Sequence, residues 1–416
     1  MYTGKSYKKR LITDHLHRLF ERFPVVVVSG ARQVGKSTLL KHEFGELAEL
    51  LVFDPIVDVQ NARQDPELFL RNHKTPLILD EIQYAPQVVP VLKRLVDENR
   101  KPGQYILTGS QQWEVMKHLS ESLAGRAVFL DLEGFSLAEI AETIPEKAWL
   151  ERWLEDPETF IRSSQERLAP QRPVFEQLWR GSLPEAQSLE LNYLPDFFMS
   201  YMRTYLERDL RLMAEVQDLE LFSRFIRLVG ALTAQEINSS QLGRELGVTP
   251  QTSARWLSIL SATFQWIGLP AYSGNFIKRL SHRKKGYFCD TGLACFAQSI
   301  SSPEALSGHP LLGAIFETAV LGEIRKLASL LATKPNFYHW RASSGAEVDL
   351  ILERDGKFFP IEIKATHQPK VSAARGIEAF RKNYPNLNVQ AGLVIAPSSQ
   401  FCPLTEQVYT LPWDLR

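Results

Sequence analysis

The chain has 416 residues, 44% of them hydrophobic and 23% charged, with 48 Lys+Arg balanced by 48 Asp+Glu. That length exceeds one ordinary core and predicts two or three domains of soluble globular composition. The zero formal charge excludes a bulk cationic footprint for nucleic acid, and three cysteines (Cys289, Cys295, Cys402) form neither a metal-ligand spacing nor a disulfide framework. A reducing, cytoplasmic setting is expected. The opening residues carry cations without an apolar stretch behind them, so no signal peptide is expected, and no apolar run approaches the ~20 residues of a membrane span.

Val25 to Val28 is a short β-branched run that leads into Gly30-Ala31-Arg32-Gln33-Val34-Gly35-Lys36-Ser37, with Thr38-Leu39-Leu40 opening a helix. Strand before and helix after is the context in which this spacing forms a phosphate-cradling P-loop. Gly30 and Gly35 permit the tight turn that aims the backbone N–H groups of residues 30–38 at phosphate oxygens, and the helix dipole adds to them. Lys36 is expected to reach the β- and γ-phosphates, and the Ser37 hydroxyl to ligate Mg²⁺.

Thr75 to Glu81 reads as an apolar strand ending in two carboxylates. Asp80 is expected to hold Mg²⁺ with Ser37, and Glu81 to orient and polarise the attacking water. A further strand at Gln104–Leu107 ends in Thr108-Gly109-Ser110, where Ser110, with Thr108 as the alternate, is placed to sense the γ-phosphate or the water. Arg126 precedes the next apolar strand, Ala127–Leu132, and two readings stand for it. It stabilises the transferred phosphoryl group, in cis or across a contact between like subunits, or it caps a surface loop. Strands alternating with helices give a parallel, doubly wound α/β sheet with ligand at the strand carboxyl ends. Adenine is favoured because no Asn-Lys-x-Asp guanine reader is evident, so the cofactors expected are ATP and Mg²⁺.

These four phrases, Gly30-Ala-Arg-Gln-Val-Gly-Lys-Ser, Leu79-Asp-Glu-Ile-Gln, Leu107-Thr-Gly-Ser and Leu123-Ala-Gly-Arg, resemble the AAA-superfamily ATPases of bacteria and archaea that carry a C-terminal domain of unknown function. Leu183-Pro-Glu, Tyr205-Leu-Glu-Arg-Asp209 and Asp290-Thr-Gly-Leu extend the resemblance over nearly the whole chain. Ser37 stands where many members have threonine, which keeps the hydroxyl. The resemblance implies an architecture more than a biological role.

Residues 150–230 show helical spacing, with a stripe at Phe198, Tyr201, Met202, Tyr205 and Leu206 that reads as core. Arg208 is either a nucleotide contact from a helical lid or a structural ion pair. Ser239 to Leu260 has helix-turn-helix grammar: Ser239 or Ser240 as cap, a stop at Gly247, then Thr249 as cap with Pro250 at the first helical position. Leu242, Leu246, Ala254, Leu257 and Leu260 are expected to pack between the helices, leaving Gln251, Thr252 and Arg255 outward. A strand around Ala271–Leu280 and the cluster Arg279, His282, Arg283, Lys284 and Lys285 would form a wing over residues 235–290 and touch DNA phosphates, unless the module docks protein instead.

From Leu311 the order reads helix, three strands, helix, strand, with a tight hairpin at Arg354-Asp355-Gly356-Lys357. Glu362 and Lys364 alternate with Ile361 and Ile363 onto one face, and Asp349 on the neighbouring strand projects beside them. Here the residues resemble the PD-(D/E)xK nuclease fold. The resemblance implies that Asp349 and Glu362 ligate a divalent metal, that Lys364 positions or activates water, and that Glu317 on the preceding helix completes the site, with Glu347 as a spare carboxylate. A domain of that fold which binds without cutting is the other reading. The expected divisions are 1–145 (ATPase), 146–300 (helical with the winged helix) and 301–416 (nuclease-like), acting on DNA and not on a membrane. The rival is an ATP-dependent switch whose last domain recognises a partner.

Overall fold

The computed structural model describes residues 7–53, 59–110, 123–169, 171–205, 218–275, 279 and 283–416. Leu206, Arg208, Asp209, Leu280 and His282, named above, lie outside the described residues. The chain forms two compact units: one runs to Phe135 and takes in Ala262–Gln265, the other comprises Ser136–Ser261 and Trp266–Arg416. Apart from Ala262–Gln265, residues 146–416 thus fall within the second unit.

The first unit is built on five parallel strands: β1 (Val25–Ser29), β2 (Glu49–Val52), β3 (Leu77–Asp80), β4 (Tyr105–Gly109) and β5 (Ala127–Asp131), in the order β2-β3-β4-β1-β5. Every residue of β1, β3 and β4 is buried, as strands covered on both faces require. Alternate residues Val25 and Val27, Leu77 and Leu79, and Tyr105 and Leu107 share one core with Val88, Val89, Leu92 and Val96 of the helix Val88–Glu98. Strand β2 escaped the sequence reading: its four residues, Glu-Leu-Leu-Val, sit half-exposed at the sheet edge without a β-branched run or alternation. The order places β4 between β1 and β3, so the ends of all three strands converge.

In the second unit, the helix Ser239–Leu246 is capped by Asn238, whose side chain accepts from Ser240 N at 3.0 Å and Gln241 N at 3.4 Å, and not by Ser239 or Ser240. Gly247 ends it at φ 72, and Thr249 caps Pro250–Ala262 through Thr252 N at 3.1 Å. Leu242, Leu246 and Leu260 are buried as expected, but Ala254 is exposed and Leu257 half-exposed. Ser253, Trp256 and Ile259 form the buried face instead, Trp256 packing edge-on against Phe222 and Phe225. Three short antiparallel strands adjoin: β6 (Gln235–Glu236), β7 (Trp266–Leu269) and β8 (Lys285–Phe288), ordered β6-β8-β7. Of the strand expected over Ala271–Leu280, the described residues show a single bridge from Ala271 to His339, and β7 lies before Pro270.

The last sheet contains β9 (Asn336–Arg341), β10 (Glu347–Arg354), β11 (Lys357–Ile363), β12 (Asn388–Val389), β13 (Gly392–Ala396), β14 (Cys402–Thr405) and β15 (Val408–Pro412). Strands β9, β10 and β11 are antiparallel; β13 and β15 continue from β11 in parallel. Asp355 and Gly356 both have positive φ, 53 and 73, as the two-residue hairpin between β10 and β11 demands. Asp290, in one of the phrases that carry the resemblance, is structural: it accepts from Ser182 N at 2.6 Å, Ser182 Oγ at 2.8 Å and Leu293 N at 3.0 Å.

Candidate nucleotide site and carboxylate cluster

The loop after β1 has the backbone the sequence requires. Gly30 has φ 152, and a Cβ there would stand 2.1 Å from the Leu132 carbonyl oxygen. Gly35 caps the helix Lys36–Phe44 at φ 94 with no side-chain cap and no acidic residue in the first turn. The first turn therefore brings no carboxylate of its own to compete for its amides. Val34 is buried and anchors the loop, while Ser37 and Thr38 are exposed at the helix start. Lys36 Nζ donates to the Gly30 and Ala31 carbonyl oxygens at 2.9 and 2.8 Å, curling the side chain over its own loop. Arg32 lies half-buried in the loop beside Gln33, which has φ 59.

Asp80 is buried at the end of β3 and accepts the Thr108 hydroxyl proton. Glu81 follows in a left-handed conformation, φ 59, its N–H donating to Thr108 Oγ1 at 3.1 Å. A non-glycine residue held there is of the kind that gathers at working sites. Gln83 Nε2 donates to Glu81 Oε2 and, at 3.2 Å, to Ser110 Oγ. Gln83 Oε1 is buried with no hydrogen-bond partner among the described residues, leaving an acceptor for a water or ligand group. A P-loop nucleotide with Mg²⁺ fits this donor set: loop amides, an exposed hydroxyl, a buried carboxylate and an unsatisfied amide oxygen.

Two residues of this region escaped the sequence reading. Gln83 stood in a quoted phrase without a role. Arg10 is buried, donating to the carbonyl oxygens of Val34 at 2.8 Å and Glu133 at 2.7 Å, so it braces the loop from outside it. No local signal marks Arg10, whose partners are 24 and 123 residues away.

Arg126 is a correction for action in cis. It makes a two-pronged ion pair with Asp97 at 2.6 and 2.8 Å, near the carboxyl end of the helix Val88–Glu98. Ala127 pairs with Val25, so Arg126 lies level with the start of β1, while the phosphate loop follows Ser29. Five strand residues separate those levels, about 16 Å. Within its own chain Arg126 serves the loop-anchoring role.

The second unit gathers the other expected residues. In the pairing of β9 with β10 the register shifts between Val348 and Ile351, a bulge that re-aims Asp349. Asp349 Oδ2 accepts from Ile363 N at 3.0 Å, beside Glu362. Lys364 Nζ donates to Glu362 Oε1 at 2.6 Å, and Glu362 Oε2 is buried without a partner among the described residues. Glu317, on the helix Leu312–Ser329, accepts from Tyr287 Oη at 2.6 Å.

Lys285 overturns one expectation. It is not a surface cation of a wing: its side chain is 12% exposed, with Nζ 2.5 Å from Glu317 Oε1 and 3.0 Å from Asp349 Oδ1. Arg279 is likewise engaged, with Glu353 at 3.7 Å and over the Tyr272 ring at 4.3 Å, leaving Arg283 and Lys284 as the exposed pair among the cluster's described residues. As the side chains stand, a divalent ion does not fit. The ammonium bridges two of the three expected ligands, and among the described residues no three His, Cys, Asp or Glu are disposed to hold a metal.

Burial, then Asp349, push the Glu317 carboxyl up to about 7 and that of Glu362 up to about 8, from an ordinary 4.5. Burial opposes the Lys285 charge, but Asp349 and Glu317 outweigh it and hold the ammonium above its usual range. Both carboxyls bind protons more tightly folded than unfolded. Their stabilising contribution is therefore full below the unfolded value and is lost as pH rises through about 7 to about 8. Chemical unfolding of the second unit should show falling stability from about pH 5 to about pH 9, a slope that Glu317→Gln reduces.

The parallel sheet, the loop and the carboxylate at the neighbouring strand end define a P-loop ATPase domain, and the family described as AAA domain matches residues 22–141. Two families described as domains of unknown function, DUF8612 and DUF4143, match residues 171–304 and 312–415. The chain is 30% identical over 408 residues to an uncharacterized protein of Mycobacterium tuberculosis, spanning 98% of this chain and 84% of that protein, and to one of Mycobacterium bovis by the same measures. It belongs to the family of these proteins. Among solved structures, a Walker-type ATPase of Pyrococcus abyssi aligns with TM-score 0.42 at 16% identity, over 72% of this chain and 100% of that one. The RuvB Holliday junction branch migration motor of Thermotoga maritima aligns with TM-score 0.31 at 16% identity, over 65% and 94%.

Proposed function

We propose that this protein binds ATP with Mg²⁺ at Gly30–Thr38, hydrolyses it, and uses the nucleotide state to govern contact with DNA or a DNA-bound partner. The observation that carries the reading is the convergence of Lys36, Asp80, Glu81, Thr108 and Ser110 at the carboxyl ends of β1, β3 and β4. Bound ATP and Mg²⁺ would supply the γ-phosphoryl group and the cation. Lys36 turns from the Gly30 and Ala31 carbonyls toward the phosphates, and Ser37 with Asp80 holds the cation. Glu81 orients the attacking water through its carboxylate, with Gln83 steadying one oxygen and linking it to Ser110.

The DNA part rests on residues 235–290, which we read as a winged helix. Gln251 and Arg255 are exposed on Pro250–Ala262, Thr252 is half-exposed, and Arg283 and Lys284 are exposed ahead of β8. The division at 1–145, 146–300 and 301–416 remains our assignment of ATPase, winged-helix and nuclease-like parts. Asp349 of β10 accepts from Ile363 N of β11, between Glu362 and Lys364, which pair with each other, and this placement supports PD-(D/E)xK ancestry. The Lys285 bridge favours recognition over cleavage, so the regulatory switch is the better-supported form. The partnerless Glu362 Oε2 favours the cleaving form. A cytoplasmic setting suits the three free cysteines, and an Arg126 contribution would require a second copy of the chain.

Phosphate release from ATP with Mg²⁺, with and without duplex DNA, tests the reading on wild type beside Glu81→Gln. The variant should still bind ATP and turn over about 10²-fold more slowly. Unchanged turnover would remove Glu81 from its role. Hydrolysis indifferent to every nucleic acid would remove DNA and leave a switch for a protein partner.

A further inference from the structure

Three carboxylates from separate elements meet in the second unit: Glu317 from a helix, Asp349 from the β10 bulge and Glu362 from β11, with side chains 13%, 6% and 6% exposed. Buried charge of one sign demands a counter-charge at hydrogen-bonding distance. Lys364 supplies one from two residues further along the chain, just past the end of β11. The other comes from far off in the chain, Lys285 on β8 in a different sheet, bridging Glu317 at 2.5 Å and Asp349 at 3.0 Å. Tyr287, on the same strand, donates to the Glu317 oxygen that Lys285 also meets. Glu362 Oε2, buried and without a partner among the described residues, is the acceptor the two lysines leave over.

An oxygen-liking divalent cation bridging Glu317 and Asp349 needs both oxygens within about 2.0–2.6 Å. That position is where the Lys285 ammonium stands. We propose that Lys285 is the built-in cation of this cluster and bars it to Mg²⁺ or Mn²⁺, and that without this ammonium the cluster is a divalent-cation site. Strand β8 fixes the ammonium there: it lies between β6 and β7, paired with both, and buries Tyr287 and Phe288. The inference rests on reading Asp349 and Glu362 as cation ligands, and the experiment separates the two.

Full-length, nucleotide-free protein is titrated with Mn²⁺ while free Mn²⁺ is followed by electron paramagnetic resonance. An Asp80→Asn background removes the first unit's candidate ligand from the count. With Lys285 present, adding Asp349→Asn should change nothing. Lys285→Met should gain one Mn²⁺ per chain, bound at least about tenfold more tightly than with lysine present, and lose it again with Asp349→Asn. Mn²⁺ bound through Asp349 with Lys285 intact overturns the barrier but leaves the ligand reading standing. A folded Lys285→Met that gains no Mn²⁺ overturns both. Should Lys285→Met fail to fold, Lys285→Met/Glu317→Gln relieves one buried charge and keeps Asp349 and Glu362 for the same titration.

Discussion

Replacing Lys36 with alanine should lower ATP turnover about 10²–10³-fold, the scale on which a positioned cation at a phosphoryl transition state acts. The side chain is buried and satisfied by the Gly30 and Ala31 carbonyls, so it is held over the loop before any phosphate arrives. Moving the ammonium onto phosphate oxygens exchanges two neutral acceptors for charged ones, a stronger hydrogen bond each. The loop itself should survive, because Gly30, Gly35 and the Arg10 brace do not depend on Lys36. Phosphate release, paired with a direct measure of ATP affinity, checks this. Turnover within threefold of wild type would remove the loop from the chemistry.

Lys285→Met should cost about 3–5 kcal/mol of second-unit stability in metal-free buffer, because it leaves Glu317 and Asp349 buried without their counter-charge. Lys284→Ala, one residue away and exposed, should cost less than about 0.5 kcal/mol. The contrast is the informative part: a surface basic patch would lose little at either position. Lys285→Arg keeps the charge but not the compact head, and should fall between the two. Urea unfolding with a chelator present gives all three values on one scale. Equal, small effects at Lys284 and Lys285 would mean that the bridge contributes nothing to the fold.

What the sequence determined by itself was whatever a few contiguous residues decide. The phosphate loop was legible because its glycines, its lysine and the flanking strand and helix lie within one stretch, and each backbone demand there has one cheap residue to meet it. The β10–β11 hairpin was legible from Asp355-Gly356, and the second helix of the pair near residue 250 from Thr249-Pro250. The first cap was misplaced by one or two residues, since Asn238, Ser239 and Ser240 all offer acceptors and only the chain path selects one. Strands β14, at the sheet edge, and β15, between it and β13, were missed because segments of four and five residues carry little pattern of their own.

Tertiary structure decided the rest. Strand order put β4 between β1 and β3, which makes Thr108 a partner of Asp80 and sets Arg126 at the far end of the sheet. It also brought Lys285 to Glu317 and Asp349, turning a residue that reads as a free surface cation into a buried counter-charge. Periodicity and turn chemistry act over a few residues, whereas a buried ion pair joins chain segments whose approach is set by how whole sheets and helices cover one another. The nucleotide loop is therefore written in the sequence, and the state of the carboxylate cluster only in the fold.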